Sequence, residues 1–234
     1  MRSKTTWLIG LLMAVFASTA VYAEDSLEAV QKKIEEKWAK VESMTAKMKM
    51  NMNMKSPEPI KTDGVIEFLR EGGKEKFRME MQFEQNMQGN TMKVSSTTIY
   101  DGDFAYSVTD MMGQKMAVKQ KSDVLQGVPG GRAMFERMSK THDLKVLPDA
   151  KVDGKDVAVI EAKIKSPDPG GVGAYRMNFV KDTGVLIKTV GIDEKGEAVM
   201  EIAFEDVKVN PKLDPSRFVF KSDPGIQVMD MTNQ

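Results

Sequence analysis

Three hydrophobic patterns follow one another along the chain. Trp7 to Ala17 is an almost unbroken apolar run behind Arg2 and Lys4. From Leu27 onward, apolar residues recur at three- and four-residue steps: Leu27, Val30, Ile34, Trp38 and Val41. Lys32, Lys33, Glu35, Glu36 and Lys40 fall mostly on the other side, so the spacing predicts one amphipathic helix over 26–42. Asp25 stands as its cap, with Glu28 positioned to reach back. At Met44 the period drops to two. Met44, Ala46, Met48, Met50, Met52 and Met54 alternate with Thr45, Lys47, Lys49, Asn51 and Asn53, which predicts a strand with one buried and one wet face. Pro57 and Pro59 end it.

The two-residue period then returns between turn signals. Asp63-Gly64 leads into Val65 to Arg70. Gly72-Gly73 leads into a strand that carries Phe77, Met79, Met81 and Phe83 on one face. Arg78, Glu80, Gln82 and Glu84 lie on the other. Gly89-Asn90 precedes Met92 to Tyr100, and Asp101-Gly102 is a hairpin signal before Phe104, Tyr106 and Val108. Gly113 separates these from Lys115 to Lys121. Val128-Pro129-Gly130-Gly131 is a loop, and Arg132 to Lys140 reads as a short helix with Met134, Phe135 and Met138 on its apolar side. Strands resume at Asp156 to Lys165, Tyr175 to Lys181, Val185 to Ile192 and Ala198 to Val209. Phe218 to Phe220 is a candidate edge strand. About ten strands joined by short turns predict a mainly β (α+β) domain. Regular spacing with hairpin turns predicts a single large antiparallel sheet, curled toward a barrel, with one leading and one mid-chain helix.

Composition changes this picture in two places. The chain has no cysteine and one histidine, His142, so its core stands without disulfides and His-based catalysis or metal binding is disfavoured. It has 20 methionines against 10 Phe, 4 Tyr and 2 Trp. Methionine is flexible and polarizable, and it is over-used on surfaces that accept many apolar shapes. Charge is balanced at 34 basic and 34 acidic residues, which is no footprint for nucleic acid. The apolar run near the start spans roughly a dozen residues, while a membrane-spanning helix needs about 20. With the small-residue site Val21-Tyr22-Ala23, it reads as a cleaved signal peptide over 1–23, which leaves 24–234 as one domain free in the periplasm. No cysteine follows the cut to carry a lipid anchor.

Several ordered motifs resemble the periplasmic outer-membrane lipoprotein carrier family, LolA-like proteins within the LolA–LolB superfamily. The run Thr98-Ile99-Tyr100-Asp101-Gly102-Asp103-Phe104-Ala105-Tyr106 resembles its strand-DG-strand hairpin. Met177-Asn178-Phe179-Val180-Lys181-Asp182-Thr183-Gly184-Val185-Leu186-Ile187 is similar to its late hairpin. Lys212 to Phe220, followed by Asp223-Pro224-Gly225-Ile226, is similar to its closing segment. The resemblance implies that the sheet forms an open half-barrel, with the N-terminal and mid-chain helices covering the concave face, and that the protein is a monomeric carrier of lipoprotein or lipid acyl chains. It also implies loading by an inner-membrane ATP-driven complex and delivery to an outer-membrane acceptor. It places a lid-latching arginine at Arg70, although Glu71-Gly72-Gly73 follows here where the family has proline. The expected cavity lining is Met48, Met50, Met52, Phe68, Phe77, Met79, Met81 and Phe83, and the expected lid is Met134, Phe135 and Met138. The plainer reading makes the same residues core under the leading helix.

Two other readings fit parts of the sequence. Met48, Met50, Met52 and Met54, with Met111, Met112 and Met116, offer soft thioethers to Cu(I); the missing cysteines and solitary histidine count against it, because ligand sets usually mix donors. A lipid-sensing envelope-stress regulator uses the same half-barrel with an added domain, for which no room follows Gln234. No nucleophile–base pair or phosphate-cradling loop stands out, and Gly170-Gly171-Val172-Gly173 reads as a rim loop. The expectation is a binding protein without catalytic residues, cofactor or metal.

Overall fold

The computed structural model describes residues 26–53, 60–87, 90–111, 113–121, 132–167, 171–222 and 226–232. The export segment, Asp25, Met54, Pro57, Pro59, Gly89, Met112, the Val128–Gly131 loop, Gly170 and Asp223-Pro224-Gly225 lie outside them. Helix α1 is Leu27–Trp38, and α2 is Arg132–Thr141. The strands are β1 Ser43–Met52, β2 Ile60–Glu71, β3 Lys74–Met87, β4 Asn90–Tyr100, β5 Phe104–Met111 and β6 Gln114–Lys121. After α2 come β7 His142–Val152, β8 Lys155–Ile164, β9 Ala174–Val180, β10 Leu186–Ile192, β11 Ala198–Val209 and β12 Gln227–Asp230. All twelve join one open sheet in the order β12-β6-β5-β4-β3-β2-β1-β11-β10-β9-β8-β7. The open half-barrel that the resemblance implies is therefore present, with twelve strands among the described residues instead of about ten.

The two extra strands lie at the sheet's edges, where the alternation fails. β7 carries Pro148 and a register break between Leu147 and Ala150, so its pattern is irregular. β12 is four exposed residues that pair in parallel with β6. The edge strand sought at Phe218–Phe220 is not there: Pro215–Phe218 is a 3₁₀ turn. Proline at its first position and Asp214, which accepts from the Ser216 N–H, favour the tight turn. At α1, Ser26 is the cap, accepting from the Ala29 N–H at 3.2 Å, and the helix ends at Trp38, shorter than the 26–42 stripe suggested. Val41 continues the stripe beyond the helix end and is still buried.

Register fixes which residues share a face, because directly paired residues point the same way. Ile202 of β11 pairs with Thr189, Thr189 with Met177, and Met177 with Ile160. Ile160, Met177, Ala158, Ala162, Phe179 and Leu186 form one core with Val30 and Ile34 of α1 and Met134 and Phe135 of α2. That surface is the inner, helix-bearing face. Small Ala158 and Ala162 let the helices approach, and the Phe135 ring sits 5.5 Å from that of Phe179. A second core joins Trp38, Val41, Met44, Ala46, Ile66, Phe68, Phe77 and Tyr100. Both helices thus gather over one half of the inner face, instead of covering it evenly.

Candidate functional site

The ladder across β1, β2 and β3 brings the predicted lining together. Met44 pairs with Phe68 and Phe68 with Phe77; Ala46 with Ile66 and Ile66 with Met79; Met48 with Gly64 and Gly64 with Met81; Met50 with Thr62 and Thr62 with Phe83. Met52 faces Ile60 on one side and Met200 of β11 on the other. All eight residues of the expected lining lie on the inner face, the face that also carries the helices. Burial then divides them. Phe68 and Phe77 are 0% and 1% exposed; the Trp38 ring closes over Phe68 at 4.9 Å. They are sealed core. Met50, Met52, Met79, Met81 and Phe83 are half-buried, and Met48 marks the boundary at 6% exposed.

Gly64 shapes the middle of this surface. A Cβ there would lie 2.6 Å from the Glu80 carbonyl oxygen, 3.2 Å from Met48 Cε and 3.5 Å from Met81 Cγ. The two thioether chains fold over a backbone dip that has no side chain of its own. The same face continues outward through buried Val94 to exposed Met111, and along a neighbouring rung through Ser96 and Thr109 to exposed Met116. The surface is therefore a methionine-rich track, interrupted by Thr62, Ser96 and Thr109, that starts under the helices and opens to solvent. Its flexible side chains can close over themselves or part around an apolar chain.

Of the three lid residues, Met134 and Phe135 are buried and Met138 packs half-buried beside them. They lie against β8, β9 and α1, not over the methionines of β1–β3. The apolar side of α2 is legible from its spacing, but the strands it meets are not.

Arg70 ends β2 beside the last turn of α1. Its Nη1 donates to the carbonyls of Ala39 and Val41, at 3.0 and 2.7 Å, and its Nη2 donates to Glu75 Oε1 at 2.8 Å. The guanidinium also lies 5.5 Å over the Phe68 ring. A helix C-terminus leaves carbonyls without partners and carries partial negative charge, so a cation there is favourable twice over. Asn210 holds the same junction from the other side, and sequence reasoning missed it. Its Oδ1 accepts from the Glu42 and Ser43 N–H groups, and its Nδ2 donates to the Lys40 carbonyl. Asn210 has φ +57, a conformation asparagine tolerates, and the only sequence sign is its place before Pro211. Two side chains from distant strands thus clamp residues 39–43. Arg70→Gln is expected to lower stability by about 1–3 kcal/mol, the range for losing charged hydrogen bonds, and to raise amide exchange in α1 above that of β8. Unchanged exchange in α1 would show that the clamp does not hold the helix.

The chain after β11 crosses the other face of the sheet, here called outer. Arg217 donates to both Glu67 carboxylate oxygens, at 3.1 and 2.9 Å through Nε, and this hydrogen bonding, with the Glu67 charge, holds its guanidinium above the usual value. Phe218 is fully buried, and Phe220 stacks on Tyr106 at 4.7 Å. Glu67, Arg78, Ile99 and Tyr106 form one rung of that face. A cavity of about 550 Å³ opens between this strap and the outer face, well away from the methionines.

No family model matches the chain. Two curated relatives do, along almost their whole length. Both are outer-membrane lipoprotein carrier proteins of Legionella pneumophila, from strains Corby and Paris. Each is 25% identical over 224 residues, which spans 94% of this chain and 96% of the relative. The chain is similar to the outer-membrane lipoprotein carriers. The resemblance drawn from the hairpins and the closing segment is borne out at that level. Among solved structures, an uncharacterized conserved protein from Thermus thermophilus aligns with a TM-score of 0.52 at 10% identity. The alignment covers 87% of this chain and 98% of that one, and supports the fold alone. Among the described residues no helix is long and apolar enough to cross a membrane.

Proposed function

We propose that this protein is a periplasmic carrier that holds the acyl chains of lipoproteins, or of another envelope lipid, on its inner face and moves them toward the outer membrane. The observation that carries the reading is the apolar track of Met48, Met50, Met52, Met79, Met81 and Phe83. These residues share one face, adjoin a helix-covered core and, apart from Met48 at its edge, stay only half-buried. Its supports are that register and the likeness to outer-membrane lipoprotein carrier proteins. Each CH₂ taken from water contributes about 0.8 kcal/mol, so one or two acyl chains bind firmly on area alone. Release then depends on what refills the track, and methionine side chains are suited to that.

In this reading, residues 1–23 direct export and 24–234 form the working domain. Arg70 is the latch that keeps α1 seated, and Met134, Phe135 and Met138 anchor the helical cover. An inner-membrane ATP-driven complex loads the cargo, and an outer-membrane acceptor takes it. Native mass spectrometry of protein taken from a periplasmic extract tests the central claim. The expected spectrum contains lipid-bound species. A clean apo mass, together with no uptake of a fluorescent fatty acid or a lipopeptide, rejects it.

A further inference from the structure

We propose that the groove between the C-terminal strap and the outer face is a second binding site, for a single-chain amphiphile with one negative charge, such as a medium-chain fatty acid. It is independent of the inner-face track, since the two sets of residues alternate along the same strands. Thr97, Ile99, Val108 and Asp110 point outward where Val94, Ser96, Thr98 and Thr109 point inward.

The groove exists because its floor is small and its roof is pinned. Ser95 and Thr97 of β4 leave space that a larger outward residue would fill. The roof, residues 216–221, is held at one end by the Arg217–Glu67 pair and the buried Phe218. At the other end it is held by the Phe220–Tyr106 stack and the pairing of β12 with β6. Neither end can drop into the gap without breaking one of these contacts. A volume of about 550 Å³ falls within the roughly 300–1,000 Å³ range of small-molecule pockets.

Its lining is two-sided. Ile99, Val108, Val219, Phe220 and Ile226 offer apolar surface. Arg78, Arg217, Lys115 and Lys221 offer positive charge against the single carboxylate of Asp110. The two arginines are balanced from behind by Glu80 and Glu67. Lys115 stands opposite Asp110 in the β5–β6 ladder, and Lys221 and Arg217 interact electrostatically with Asp214, which lies outside the lining. Within the lining itself cations outnumber carboxylates beside an apolar wall, with the hydroxyls of Ser95, Thr97 and Ser216 in the same lining. That combination favours an anionic head with one short tail over a neutral alcohol.

The test is a titration of ¹⁵N-labelled protein with decanoate, read by amide shifts, with decanol as the uncharged control. Shifts are expected at Thr97, Val108, Ser216 and Val219, separable from any at Met48 and Met81 on the inner face. Lys115→Glu with Lys221→Glu reverses the two lysine charges of the lining. It is expected to weaken the outer-face binding at least about tenfold, the effect of losing one charge-assisted contact, while the rest of the spectrum stays in place. Decanol is expected to bind there at least as weakly. Shifts confined to the inner-face amides, no shifts below the micelle concentration, or outer-face shifts unaltered by the double charge reversal would each overturn the proposal.

Discussion

Gly184→Ala is expected to be the most damaging single-methyl change in the protein. Gly184 closes the β9–β10 turn with φ +70 and lies flat against α1. A Cβ there would stand 2.3 Å from the Ile34 carbonyl oxygen and 2.8 Å from the Trp38 nitrogen. Both are backbone atoms of a helix, so no side chain can swing aside. The left-handed conformation costs a residue with a Cβ about 1–2 kcal/mol, and forced overpacking typically adds about 1–3 kcal/mol. The sum approaches a large part of a small domain's stability. Gly113→Ala separates the two costs, because Gly113 has φ +84 and nothing within 4 Å of the built Cβ. Urea unfolding of both variants should show a clearly larger loss for Gly184→Ala. Equal losses would mean that α1 yields and that its seat on the turn is soft.

Met81→Asp is expected to remove acyl binding while leaving the fold in place. Met81 is half-buried opposite Gly64, so a carboxylate there keeps water in the empty protein. A bound chain would strip that water and leave the charge unpaired, at an effective cost of several kcal/mol. Uptake of a fluorescent fatty acid should fall by more than about a hundredfold, since each 1.4 kcal/mol is a factor of ten. Met81→Leu, of similar volume, should keep most of it. Thermal unfolding near the parent value in the Asp variant would assign the loss to the track and not to misfolding. Full uptake in Met81→Asp would place the cargo elsewhere on the molecule.

The alternation of the methionines carries more information than their number. Strand period alone puts Met48, Met50, Met52, Met79, Met81 and Phe83 on common faces, and pairing keeps them together. It does not say that Phe68 and Phe77 are sealed beneath Trp38 while Met50 and Phe83 stay half open. That division depends on where α1 stops, and α1 stops short of its own apolar stripe. Arg70 is legible only through a family likeness, and its partners are main-chain carbonyls that no sequence pattern displays. Asn210 and the Arg217–Glu67 pair are not legible at all. Their partners lie 167, 168 and 150 residues away, and contacts at such separations leave no local periodicity to read.

By itself, the sequence determined the local alternatives: strand or helix, turn or run, and which side of each element is apolar. These follow from the fixed periods of backbone geometry and the steric demands of turns. Only the tertiary structure decided which strand neighbours which, and so the closure of β1 onto β11 and the parallel docking of β12 on β6. It also decided that the helices cover one half of the inner face and that the strap crosses the outer one. Those choices rest on summed packing between distant segments, which the local rules of period and turn do not specify.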